Sequence, residues 1–194
     1  MKLPESFYIR SNVTVIARQL LGKILVTRIN GKVTSGIIVE TEAYSDRERG
    51  SHAFRGMTKR NEVMFGRGGK AYVYLCYGVH EMFNVVTNNK GKADAILIRA
   101  LEPLEGIETM QERMNKTSPS RITSGPGKLA KALGIDRKLN GEKLGTSKIW
   151  IEDKGLKIKP SDIVSSPRIG IDYAGDDALL PWRFTIQNNK WISK

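Results

Sequence analysis

The stretch KILVTRINGKVTSGIIVETEAY, residues 23–44, decides the fold. Residues 23–29 are aliphatic or β-branched apart from Lys23 and Arg28, Asn30-Gly31 is a dipeptide that accepts two left-handed corners, and residues 34–44 resume the apolar pattern. This predicts an antiparallel hairpin. In its second arm Ile37-Ile38-Val39 reads as buried on both faces. Glu40 and Glu42, two apart on a strand, then project to one face, with Tyr44 after them. Taken alone the pair is a weak signal, because an E-x-E spacing more often marks a solvated strand face. Directly after a doubly buried run a solvated continuation is less natural, and the pair becomes a candidate for acid–base work on a glycosidic bond.

Upstream, Ser11 or Asn12 can cap a helix in which Val13, Ile16, Ala17 and Leu20 recur at helical spacing, and Gly22 stops it. Downstream, residues 45–70 are rich in glycine and charge and lack periodicity; bounded by strong strands, they predict a long functional loop. Residues 71–77 and 80–87 read as strands around Gly78, residues 88–94 as a turn and residues 95–101 as a buried strand. Leu104, Ile107, Met110 and Met114 predict a short amphipathic helix, and residues 127–133 a second one ended by Gly134. Later strands are predicted at 147–152, 167–171 and 183–187. The expected class is α+β: a single domain with a curved, mostly antiparallel β-sheet and a few flanking helices.

With 40% hydrophobic and 7% aromatic residues the chain has material for a core. Lys and Arg number 32 against 20 Asp and Glu, a formal net charge of +12, which points to a polyanionic partner. The excess is localised. From Arg55 to Lys70 five basic residues, Arg60 and Arg67 among them, stand against Glu62 alone; from Arg113 to Lys138 seven stand against Asp136 alone. Either cluster could be an ordinary solvated face, but two of one sign fit a surface that tracks phosphates. Ser124-Gly125-Pro126-Gly127-Lys128, opening a predicted helix, adds backbone N–H groups and Lys128 as a phosphate seat, although the Walker A spacing is absent.

The one cysteine, Cys76, excludes an intrachain disulfide and, inside an apolar run, reads as a packed thiol. His52 and His80 lie far apart with no metal-ligand motif, so no metal or cofactor is expected. No G-x-S-x-G occurs, which speaks against a serine triad. Lys2, Glu5 and Arg10 stand where a signal peptide would be apolar, and no stretch approaches the roughly 18 apolar residues of a membrane span. A soluble cytoplasmic protein is expected. Tyr72 and Tyr74 share a strand face, where tyrosine can grip a nucleobase; Tyr77, before Gly78, sits at a turn tip suited to entering a DNA groove.

Read in order, GIIVETEAY (36–44), YVYLCYG (72–78), LIRALEPLEG (97–106), SGPGKL (124–129), RIG (168–170) and PWRF (181–184) make the chain resemble the alkyladenine (3-methyladenine) DNA glycosylase family, as a compact bacterial-type member. The resemblance runs from about Val13 to Ser193, and VETEAY and RALEPLEG are long enough to be specific. It implies that residues 1–194 form one glycosylase domain that flips damaged purines out of double-stranded DNA and hydrolyses their N-glycosidic bond. It further implies Glu42 as the water-activating carboxylate. Arg99 would help hold that water and the lesion nucleotide, aided by a main-chain carbonyl near Ile169. Tyr44 and His52 on one side and Tyr74 on the other would sandwich the base, with His52 also hydrogen-bonding it. Tyr77 would fill the gap in the duplex, next to Gly78 and Val79; Val79-His80 stands where mammalian members carry a bulkier Met-Tyr pair. Asn84 would crowd the purine 2-position, Met64 would lie near the DNA, and Arg60, Arg67 and Lys128 would meet it.

A 3- or 7-alkylated purine is cationic, leaves readily, and stacks favourably on electron-rich rings, by roughly 0.5–2 kcal/mol per contact. Damaged bases also pair poorly, which lowers the cost of extruding them. Neutral lesions such as hypoxanthine would need protonation, for which no residue stands out, and no lysine motif suggests Schiff-base chemistry. The expected product is an intact abasic site, made by a monomer. Two other readings stay open here. Gly125-Pro126-Gly127-Lys128 before a helix also suits a helix-hairpin-helix glycosylase, which would be mostly helical. The basic surface also suits a non-catalytic duplex-binding module, and only the Glu42, Arg99 and tyrosine set favours the enzyme over it.

Overall fold

The computed structural model describes residues 1–193. A one-turn helix α1 (Glu5–Tyr8), too short to show a periodicity, precedes α2 (Val13–Leu20). Asn12 caps α2 by accepting the Val15 N–H at 3.1 Å, and Val13, Ile16, Ala17 and Leu20 turn into the core as their spacing requires. The hairpin follows as predicted: β1 (Ile24–Ile29) and β2 (Lys32–Tyr44) join through Asn30 and Gly31, both left-handed at φ 52 and 78.

The remaining strands are β3 (Ala71–Cys76), β4 (His80–Thr87), β5 (Asp94–Glu105), β6 (Ile149–Glu152), β7 (Ile163–Ser166) and β8 (Arg183–Ile186). They form one antiparallel sheet in the order β3-β4-β5-β2-β1-β6, with β8 on the second half of β2 and β7 beyond it. The 13 residues of β2 therefore bind three strands: β5 along one edge, β1 and then β8 along the other. The sheet is curled, with α3 (Ile107–Met114), α4 (Pro126–Leu133) and α2 beside it. This is the expected α+β class, and the mostly helical helix-hairpin-helix architecture is excluded. Among the described residues no helix is long and apolar enough to cross a membrane.

Three sequence-based boundaries need correction. The strand expected at 95–101 runs on to Glu105, so Leu104 ends a strand and α3 begins only after Gly106. The strand expected at 167–171 lies earlier, at Ile163–Ser166, paired with β8. Pro167 has no N–H to give to a ladder, and the Ile169 N–H is bound elsewhere. The 45–70 loop is as long as expected but includes a 3-10 turn at Glu62–Phe65.

Two compensating bulges in the β2–β5 ladder set the site. Ile38 faces Leu101 and Glu40 faces Ala100, so Val39 has no opposite number; Thr41 then faces Ile98, so Arg99 has none. The pair preserves register yet switches faces. Before it Ile38 and Leu101 point into the main core; after it Ala43, Ile96 and Ile98 do, and the Thr41 hydroxyl donates to the Ala17 carbonyl of α2 at 3.1 Å. Glu40, Glu42, Tyr44, Leu97 and Arg99 are thereby left on the other face. On β3, likewise, Ala71 and Val73 join the main core, while Tyr72 joins Ala53, Met64, Val86, Ala93 and Ala95 in a second cluster under the 45–70 loop. The Arg99 carbonyl, released from the ladder, accepts the Gly125 N–H at 3.1 Å and so docks the start of α4.

Gly106 shows how tightly this frame closes. Its φ is 72, and an added Cβ would lie 2.2 Å from the Val33 carbonyl oxygen. Gly31 has a similar φ of 78 but open space around it. Gly106→Ala should therefore lower stability by about 3 kcal/mol or more, whereas Gly31→Ala should lower it by only about 1 kcal/mol, the conformational cost alone. Urea unfolding of both variants measures the difference, and equal losses would contradict the steric account.

Candidate active site

On the face opposite the main core lies a cavity of about 430 Å³, within the usual range for a small-molecule site, roughly 300–1,000 Å³. The 45–70 loop, β3–β5, the start of α4 and residues 169–173 contribute its walls. Glu42 sits immediately behind the lining and is fully buried. One carboxylate oxygen accepts the Ile169 N–H at 2.7 Å; the other accepts the Tyr44 hydroxyl at 2.8 Å and an Arg99 terminal N–H at 3.2 Å. All three donors line the cavity, so the carboxylate is separated from it by the groups that bind it. Arg99, itself 7% exposed, also donates through Nε to Glu40 at 3.0 Å. Burial pulls the Arg99 guanidinium down, but Glu42 and Glu40 outweigh that and its net shift is upward, so it stays charged. Burial, with Glu42 alongside, holds the Tyr44 phenol well above its ordinary value, so its proton remains on the oxygen and points at the carboxylate.

The rings are arranged differently from the expected sandwich. His52 and Tyr74 touch edge to face, with centroids 4.5 Å apart and planes at 65°. That leaves no gap for a base between them, so they form one wall together, with Tyr72 behind, its centroid 5.4 Å from that of Tyr74. Tyr44 belongs to a separate wall. The reason lies in the loop: Tyr72 hydroxyl and His52 Nδ1 are hydrogen-bonded at 2.9 Å, which ties His52 to the β3 rings. Burial, then the nearby Arg60 charge, lowers the His52 imidazole to about 4, so it is neutral near pH 7. Burial raises Tyr74 and takes Tyr72 up to about 12.

Of the other residues singled out from sequence, Asn84 lines the cavity and its amide nitrogen donates to the Tyr72 carbonyl at 3.2 Å. Arg60 stands over the Tyr74 ring, 5.5 Å from its centroid. Tyr77 is 91% exposed at the cavity mouth, and Val79 is exposed beside it. The Val79 N–H closes the turn onto the Cys76 carbonyl at 3.1 Å, with Tyr77 at φ 50 and Gly78 at φ 74. Cys76 is half-buried at the cavity edge. The neighbouring His80 packs against Gly127, where an added Cβ would lie 3.1 Å from the ring, so the hairpin tip and exposed Lys128 share one edge. Met64 lines the cavity from the 45–70 loop. It is buried in the second cluster, so its apolar side chain backs the cavity wall. Arg67 is outside the cavity lining and ion-paired with Glu5 of α1.

Three features escaped the sequence. Arg168 forks onto Glu48 with two bonds of 2.7 Å, both partners buried, while its guanidinium lies 4.7 Å from the centre of the Tyr44 ring. This bond pins the 45–70 loop to the segment whose next N–H holds Glu42. Glu40 binds Arg99, Arg183 and Ser193. Tyr173, 69% exposed, reaches the cavity and donates to the Gly50 carbonyl at 3.2 Å. Arg168 and Glu48 are separated by most of the chain, so no spacing rule could pair them. Among the described residues no cluster of three or more His, Cys, Asp or Glu is arranged to hold a metal ion.

Comparison with known proteins identifies the family. The sequence profile of the methylpurine-DNA glycosylase family matches residues 6–190. A protein of Carboxydothermus hydrogenoformans is 50% identical over the full length of both chains. One of Methanocella arvoryzae is 48% identical, covering 99% of this chain and 96% of its own, and one of Chlorobaculum tepidum 47% identical, covering 100% and 91%. All three are provisionally named 3-methyladenine DNA glycosylases. With a match over nearly its whole length and relatives at this identity, the chain belongs to the methylpurine-DNA glycosylase family.

Proposed function

We propose that this protein is a DNA-repair glycosylase, a single domain over residues 1–194 that acts as a monomer on duplex DNA in the cytoplasm and releases damaged purines to leave an intact abasic site. Glu42 carries the reading. It is a fully buried carboxylate whose three hydrogen-bond donors all face a purine-sized cavity walled by aromatic rings. A carboxylate offers about four acceptor directions. Three are taken, and the fourth receives a water. In the reaction that water attacks C1′ of the deoxyribose as the glycosidic pair departs with the purine, and Glu42 takes the water's proton. The oxygen becomes the C1′ hydroxyl, and no strand is cut.

The lesion nucleotide enters with its base between the His52–Tyr74 wall and Tyr44, and Tyr77 occupies the stack it vacates. Asn84, on the cavity floor, crowds substituents at the purine 2-position. Arg60, Lys128 and the Tyr77–Val79 turn lie where the duplex approaches. A non-catalytic binding module accounts poorly for this arrangement. Burying a carboxylate costs several kcal/mol before its partners compensate, and a module that only holds phosphates gains nothing from an acid behind its cavity.

Glu42→Gln, assayed well below its thermal midpoint, should still bind a lesion duplex, yet release base about 10²–10⁴-fold more slowly. Abasic sites formed on oligonucleotides bearing 3-methyladenine, hypoxanthine or ethenoadenine, scored by alkaline cleavage, measure this. Full activity in that variant refutes the assignment. Tyr77 takes the same left-handed corner as Asn30 in the β1–β2 turn, φ 50 against 52, without asparagine's ease there. Tyr77→Asn should therefore stabilise the fold by up to about 1 kcal/mol while weakening binding to lesion duplexes, separable by thermal melts and titrations. For His52 the unfolded chain gains a proton below about 6.5, which the folded site refuses until about 4. Its contribution to stability is complete above pH 6.5 and is lost as the pH falls to 4, a change on the order of 2–3 kcal/mol. Urea midpoints at pH 7.5 and 4.5 should fall further apart in the wild type than in His52→Gln; equal gaps would show that the ring titrates normally.

A further inference from the structure

Glu40, the first acid of the E-x-E pair, does not line the cavity and has no part in the steps above. It is fully buried and is nonetheless the most heavily bonded carboxylate near the site. One oxygen accepts Arg99 Nε at 3.0 Å, Arg183 Nε at 2.7 Å and the Ser193 hydroxyl at 2.8 Å; the other accepts the Ser193 N–H at 2.7 Å. Ser193 lies on the segment that follows β8, which two arginines also hold. Arg183 donates to the Ser193 carbonyl and Arg121 to the Ile192 carbonyl, each at 3.4 Å. Arg99 completes the knot: its Nε goes to Glu40, one terminal nitrogen to Glu42 at 3.2 Å and the other to the Ser193 hydroxyl at 3.3 Å.

The distribution of these bonds matters more than their number. An arginine beside a lone carboxylate tends to fork, giving two nitrogens to both oxygens. Here Arg99 gives Glu42 a single nitrogen, because the other two are committed to Glu40 and Ser193. A forked pair would occupy the acceptor direction that a water needs. Arg183 supplies the charge that lets Glu40 engage Arg99 without leaving the pocket a net carboxylate.

We infer that Glu40 and Ser193 are positioning residues. They restrain Arg99 to a one-nitrogen contact with Glu42, keeping a face of the Glu42 carboxylate open to the attacking water. The inference rests on the glycosylase reading and on Glu42 as its base. It makes Ser193, far from the cavity in sequence and hidden behind it in space, a determinant of the chemical step rather than of DNA binding.

Single-turnover base release with enzyme in excess over a lesion duplex, alongside the dissociation constant for the same duplex, tests this on the full chain. Measured well below the thermal midpoint, Glu40→Gln should slow release about 10–100-fold, the usual reach of residues that orient a reacting group, with the dissociation constant unchanged. Ser193→Ala, a small change at the margin of the knot, should slow release severalfold, and Ser193→Thr, which keeps the hydroxyl, should recover most of that loss. The Ser193 pair carries the test should Glu40→Gln fold poorly. Wild-type release rates in Ser193→Ala overturn the inference and leave the glycosylase reading standing. So does a loss that appears only as weaker binding or that the threonine does not recover. A wild-type protein that releases no base from any lesion duplex overturns the reading and the inference with it.

Discussion

Two carboxylates buried side by side on one strand constrain everything around them. Glu40 and Glu42 are both fully withdrawn from water, and each would cost several kcal/mol if left uncompensated. No single neighbouring strand supplies the remedy. Arg99 comes from β5, Arg183 from β8, the Ile169 N–H from the segment between β7 and β8, and the Ser193 groups from beyond β8. β2 can be acidic at its centre only because strands flank both of its edges there. The sheet order, with β8 displacing β1 as the partner along the second half of β2, brings those four donors within reach.

The paired bulges turn that electrostatic knot into a site. A regular strand would send Ile38, Glu40 and Glu42 to one face, placing the acids in line with the main core. The unpaired Val39 reverses the parity, and the unpaired Arg99 reverses it on β5 in step, so hydrophobic residues stay under the helices while acids and arginine move to the other face. The second face then needs its own cover. The 45–70 loop supplies it, with Ala53 and Met64 packing over Tyr72 and Ala95 and the Arg168–Glu48 bond fastening the loop from behind. Because the cover is a loop rather than a helix, it seals only part of the face, and the cavity is what it leaves open.

Much of this was legible in the sequence, for identifiable reasons. Asn30-Gly31 fixes a hairpin locally, and Glu40 and Glu42 stand two apart whatever the partners, so their shared face could be read from spacing. Of Ile37-Ile38-Val39, expected to be buried on both faces, Ile38 and Val39 are buried and Ile37 is partly so. The bulge at Val39 was not legible, because its cause lies in β5 and in Gly125 claiming the Arg99 carbonyl. His52 was placed on the wrong wall for a similar reason. Its ring position follows from the hydrogen bond to Tyr72, a contact across the loop that no local pattern encodes. The burial of Met64 under the 45–70 loop and the pairing of Arg67 with Glu5 on α1 are likewise contacts between segments distant in the chain, which spacing does not encode.

The charge balance around the cavity bears on how a lesion is told from a normal base. The buried acids Glu40, Glu42 and Glu48 are matched by Arg99, Arg168 and Arg183, so the deep site carries no net negative charge with which to trap a cation. Two further guanidinium contacts lie against the walls, Arg168 on Tyr44 and Arg60 on Tyr74, and each opposes part of the cation–π gain that an alkylated purine would find on a bare ring. Under the glycosylase reading, then, a cationic lesion is favoured less by affinity than by two other terms. It pairs poorly and so costs less to extrude, and it departs without needing a proton. On that reading a neutral purine without a 2-substituent would meet the same walls, and what would separate it is the rate at which a water held by Glu42 displaces a poorer leaving group. Selectivity of this kind would appear in the chemical step more than in binding, which is where an enzyme that must search a vast excess of undamaged DNA would lose least by placing it.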